Sequence, residues 1–219
     1  MIDTIDMKES SERISVNSLE LIVLLLLPLP FLDLGIIYVI TALAIMLLSK
    51  SLRKEKWSDY GFKSINQKAL LIAITIGLMY GFIDNYLTEP LITKLVGVEP
   101  DLSSYEGVKG NVMGLIGMLA LGWIVGGLFE EFFFRGYLFN RLNSIITNQV
   151  LHRYISILVI SIVFGFAHNY QGIGGIIATF LFSIVMGLLY FYFARNVWYL
   201  IIIHGFYDTV GIVKLFLSE

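Results

Sequence analysis

Apolar residues in this chain fall in long blocks separated by short polar stretches. The blocks run roughly 16–23 residues, the length a helix needs to cross a bilayer core. This pattern predicts spans near 18–33, 34–50, 68–86, 111–134, 154–170, 173–194 and 197–217. The expected fold is an all-α, polytopic transmembrane helix bundle of about seven to eight spans. Residues 1–17 form a polar N-terminal segment, and 18–219 read as a single transmembrane domain. The first apolar run begins near Leu19 and ends at Asp33 without a small-residue cleavage site, so it is expected to stay as the first span. Pro28 and Pro30 predict that this span is kinked or partly re-entrant. The absence of an internal repeat weighs against a secondary transporter.

Composition agrees with the pattern. The 219 residues are 57% hydrophobic, with a mean hydropathy of +0.80, where a soluble domain is about 45–50% apolar. The chain has no Cys, which removes disulfides, thiolate metal sites and cysteine nucleophiles. The net charge of −2 argues neither for nor against nucleic acid, and for a membrane chain no nucleic-acid partner is expected. Basic residues are asymmetric along the loops. Lys50, Arg53, Lys54, Lys56, Lys63 and Lys68 cluster after the second span. Placing them in the cytoplasm puts Lys8 and Arg13 inside and Arg135, Arg141, Arg153 and Arg195 at or near the same face. Only Lys94, Lys109 and Lys214 then lie outside, where the 84–110 loop is acidic. A multi-pass cell-membrane protein with a cytoplasmic N-terminus is the expectation.

Ionisable groups inside spans are expensive and need a partner or a function. Three clusters stand out: Glu130, Glu131 and Arg135; His168; and His204 with Asp208. On an α-helix, Glu131 and Arg135 share a face and can pair, whereas Glu130 is turned about 100° away toward another neighbour. His204 and Asp208 also share a face, as do Phe164 and His168. Glu130 lies roughly 18 Å along a helix from Leu142, His168 about 22 Å past Arg153 and His204 about 13 Å past Arg195. These depths allow the groups to converge. Each cluster alone has a structural reading: a Glu–Arg staple, a histidine hydrogen-bonded between helices, and glycines (Gly126, Gly127, Gly136, Gly165, Gly205) that permit close packing. Two carboxylates, an Arg, two His and an Asp at compatible depths favour function.

The three clusters resemble the signature of the intramembrane CAAX protease and bacteriocin-processing family, also called Abi: EExxxR, then FxxxH, then HxxxN or HxxxD. Here they read Glu130-Glu131-Phe-Phe-Phe-Arg135, Phe164-Gly-Phe-Ala-His168 and His204-Gly-Phe-Tyr-Asp208, in order, on predicted spans. The resemblance covers about 111–210, with a further likeness in Trp57, Gly61 and Phe62. It implies an endopeptidase acting on membrane-associated peptides or proteins. It implies Glu130 as general base, His168 as its partner on water, His204 and position 208 around the oxyanion, and Glu131 and Arg135 as orienting residues. Many members have Asn where this chain has Asp208, and an ionised Asp only accepts hydrogen bonds. Asp208 is therefore protonated, or orients His204, or contacts a metal.

The chemistry needs activated water, a stabilised oxyanion and a protonated leaving amine. No Ser is paired with a base, so Ser161 and Ser183 read as packing residues. HExxH is absent. The cofactor is either none or a divalent metal such as zinc, held by Glu130, His168 and His204 with Asp208 as a further donor; the metal-free route is favoured. Rival readings are a haem protein ligated by the two histidines, a proton-coupled carrier, and a non-catalytic immunity or scaffolding protein on the same fold.

Overall fold

The computed structural model describes residues 16–32 and 34–218. Lys8, Arg13 and Asp33, which entered the sequence argument, lie outside the described residues.

Seven apolar helices build the described chain. Five are long and apolar enough to cross a membrane: α3 (Gln67–Val96), α4 (Val112–Ile145), α5 (Gln149–Ala167), α6 (Asn169–Tyr192) and α7 (Val197–Leu217). The other two, α1 (Val16–Leu26) and α2 (Ile36–Leu52), are shorter. The expected all-helical bundle is what is found, with several boundaries moved. The first predicted span is only an 11-residue helix, about 16 Å long, because Pro28 and Pro30 end it: the chain turns at Leu27–Leu29 and passes through a 3-10 turn at Pro30–Leu32. A proline lacks the N–H that would continue the ladder. The first pair of predicted spans is therefore a short hairpin. The predicted third span runs on to Val96 through a π-wound turn at Asp84–Thr88, so part of the expected 84–110 loop is helical.

Four helices begin at asparagine. Asn66, Asn111, Asn148 and Asn196 each accept hydrogen bonds from backbone N–H groups of the following turn. This satisfies donors that the helix leaves unpaired. In the bundle, α7 packs between α3 and α4, and α5 packs on α6.

The fourth helix differs most from expectation. From Gly122 to Leu138 it is π-wound, with i→i+5 hydrogen bonds. Such winding is rare and tends to mark functional sites. The helix then continues as an ordinary α-helix to Ile145. Arg135 and Arg141, expected at or near a membrane face, lie inside it and are 0% and 1% exposed. Each has its own partners. Arg141 donates through both terminal nitrogens to Glu55 at 2.7 Å and also to Tyr137 (2.9 Å) and Tyr60 (3.1 Å). Glu20 of α1 faces the same guanidinium, accepts from Tyr137 and pairs with Arg53. This polar knot ties the N-terminal hairpin to α4.

Trp57 and Phe62 also dock on α4, and Gly61 meets the start of α7. The Trp57 and Phe62 rings lie 5.7 and 5.4 Å from Phe132. Gly61 has φ 88°, and a Cβ there would meet Arg195 O at 2.7 Å. Only glycine meets both conditions without strain.

Candidate active site

The π-wound stretch of α4 presents Glu130 and Glu131 toward α7 and Arg135 toward α6. A wide turn rotates each residue by less than the about 100° of an α-helix. Glu130 and Glu131 address one neighbour through different nitrogens of its ring. The neighbour is His204. Its Nδ1 donates to Glu131 Oε1 at 2.8 Å, and its Nε2 lies 4.0 Å from Glu130 Oε2 and 3.6 Å from Asp208 Oδ1. One imidazole thus joins three carboxylates from two helices.

Glu131 is fully buried, and its Oε1 also accepts from Arg135 at 3.0 Å. Arg135 in turn donates to the hydroxyl (2.7 Å) and carbonyl (3.2 Å) of Ser183 on α6, and its guanidinium lies 5.0 Å from the Phe164 ring. Ser183, a packing residue by sequence, is therefore the anchor of Arg135. Glu131 and Arg135 are held from both sides. Glu130 is the freer carboxylate, 8% exposed against 0% for Glu131. Its 4.0 Å approach to His204 is longer than a hydrogen bond.

Asp208 sits against a glycine floor. A Cβ on Gly126 would come within 2.5 Å of Asp208 Oδ2 and 3.3 Å of His204 Nε2. Gly122 crowds the same carboxylate, at 3.2 Å from its would-be Cβ. Gly126 therefore does more than bring helices together: it makes room for the polar side chains of α7.

His168 stands one step apart. It is the residue that ends α5, not one within the helix. Its Nδ1 donates to Phe164 O at 2.8 Å, because a carbonyl can only accept, and this leaves Nε2 with its lone pair when the ring is neutral. The Phe164 ring lies between the two histidines, 4.6 Å from His168 and 6.4 Å from His204. Glu130, Glu131, Arg135, His204 and Asp208 form one contact network, and His168 joins through Phe164 without a hydrogen bond to the carboxylates.

Among the described residues, no group of three or more His, Asp or Glu side chains is disposed to hold a metal ion. The Nδ1 bonds of His204 to Glu131 and of His168 to Phe164 leave each Nε2 as the nitrogen a metal would use, but Glu130, His168 and His204 are not grouped as a ligand set among the described residues, and the chemistry below uses no metal.

Residues 112–210 match a family model described as Rce1-like, type II CAAX prenyl endopeptidase. The matched segment contains all three motifs and agrees with the family they resemble. Comparison with curated proteins and with solved structures gave no match.

Proposed function

We propose that this chain, Rce1-like over residues 112–210, is an intramembrane endopeptidase that hydrolyses peptide bonds of membrane-associated peptides or proteins with water activated by Glu130. The supporting observation is the division of labour between two adjacent carboxylates. Glu131 is locked by Arg135 and His204, while Glu130 is free at the edge of the same cluster. A base must be able to reach water, and the locked neighbour cannot.

In this reading Glu130 takes a proton from water, with His168 Nε2 as a second acceptor. The hydroxide adds to the carbonyl carbon of the peptide bond. His204, oriented through Nδ1 by Glu131, uses a proton on Nε2 to stabilise the oxyanion. The proton gained by Glu130 then passes to the leaving amine as the C–N bond breaks. Asp208 lies beside Nε2 as an acceptor and orients His204, since an ionised carboxylate has no N–H to offer the oxyanion. Glu131 and Arg135 are positioning residues. The N-terminus is assigned to the cytoplasm by the basic loops.

The test is cleavage of a membrane-peptide library by purified wild type and Glu130→Gln. The amide keeps the shape but cannot accept the proton. Loss of a general base lowers the rate about 10²–10⁴-fold, with folding unchanged. Equal cleavage by the two proteins would remove Glu130 from its role.

A further inference from the structure

A second polar site lies outside the catalytic cluster. A cavity of about 160 Å³ opens where several elements end: the segment joining α2 to α3, the last part of α4, the second turn of α5, the last turn of α6 and the link to α7. Membrane-length helices end where headgroups begin. Chain neighbours of the lining agree: next to Ser58, Trp57 lies under Lys50, and next to His152, Arg153 lies over Phe191, at 4.6 and 4.8 Å from the ring centres. Cations and aromatics of this kind gather at that boundary.

The back wall holds His152 and Tyr190, which are buried. His152 Nε2 donates to Phe139 O at 2.9 Å, so Nδ1 carries the lone pair of the neutral ring. That Nδ1 is buried without a hydrogen-bond partner among the described residues, and a buried polar atom left in this state is costly. The mouth carries Lys63, Arg195, Asp59 and Asn143. Lys63 uses one donor on Ala194 O (2.7 Å) and Arg195 one on Gln149 (2.8 Å). An ammonium has three donors and a guanidinium five, so most have no hydrogen-bond partner among the described residues.

We propose that this cavity binds a phosphate ester bearing hydroxyl donors, presented as the glycerophosphate headgroup of an anionic phospholipid. The phosphate sits on Lys63 and Arg195, and the headgroup hydroxyls donate to His152 Nδ1 and Asp59. The volume equals about five waters at ~30 Å³ each, which admits a headgroup and leaves the acyl chains outside along the bundle.

The experiment is native mass spectrometry of the purified chain, titrated with phosphatidylglycerol or phosphatidylcholine. The choline headgroup has the phosphate but no hydrogen donor. Wild type is expected to retain phosphatidylglycerol at least tenfold more tightly. The exposed-side double variant Lys63→Gln/Arg195→Gln, whose melting temperature checks its fold, should lose that preference. Equal retention of the two lipids by wild type, or an unchanged preference in the double variant, would overturn the site. Displacement of the lipid by free sn-glycerol 3-phosphate at similar strength would overturn the lipid as the ligand's source. Peptide cleavage does not enter these readouts, so the outcome is independent of the proposed activity.

Discussion

His204 is the residue on which the carboxylates of two helices converge, and its neighbours differ in how much freedom they keep. Replacing Glu131 by Gln leaves an oxygen that can accept from Nδ1 but removes the negative charge that holds His204 and Arg135. Both activity and folded yield should fall, because breaking a buried pair from one side costs about 3–5 kcal/mol. Glu130→Gln should lower activity alone. Paired measurements of melting and cleavage separate the two, and a destabilised Glu130→Gln beside an intact Glu131→Gln would reverse the assigned roles. Gly126→Ala tests the floor of the site. Its new methyl would press on Asp208 Oδ2, so cleavage should drop more than tenfold. Adding Asp208→Ala should restore melting temperature without restoring cleavage. Full activity in Gly126→Ala would show that Asp208 can move away freely.

At the level of elements, hydropathy located the apolar segments well and their ends less well. All seven predicted apolar blocks correspond to helices, and the three motif segments fall on α4, at the end of α5 and on α7. Pairing was the hidden part: Arg141 is buried against Glu55, which lies 86 positions away in the sequence. Winding was equally hidden, since an apolar run has no side that reveals whether hydrogen bonds close at i+4 or i+5. Ser183 likewise gave no sign of its bond to Arg135. The asparagine caps were legible by position but carried no part of the sequence argument. Asn148 accepts from Val150 and Leu151 N–H at 3.0 Å. Asn148→Ala should therefore lower stability by about 1 kcal/mol with cleavage by the folded fraction unchanged. A denaturation series in mixed micelles checks this.

Across the whole molecule, the polar knot joins apolar contacts such as Tyr38 on Phe129, 5.8 Å between ring centres, in attaching the hairpin of α1 and α2 to α4. Glu55 lies outside the spans. Burial alone would raise its pKa, but hydrogen bonds from Arg141 and Tyr60 and the charges of Arg141 and Arg53 outweigh it and hold the carboxyl below its usual range. A depressed folded-state pKa contributes stability that is fully present above the unfolded value and is lost as pH falls through the folded one. Acidification below the ordinary glutamate range should therefore loosen the 53–66 segment, seen as faster proteolysis there. Glu55→Gln should flatten that response. An unchanged acid profile in the variant would place the sensitivity elsewhere.

The knot also sets an order of events during synthesis. Glu20 meets Arg53 within the hairpin itself, whereas Arg141 follows Glu20 by 121 positions (141 minus 20). At about 5–20 residues per second, on the order of ten seconds passes between their appearances. Through that interval Arg53 is the counter-ion of a glutamate on an apolar segment. Arg53→Gln should then reduce the amount of protein correctly inserted by more than it lowers the melting temperature of what has been completed. Pulse-labelled insertion compared with melting would separate a helper needed in passage from a bond needed at the end.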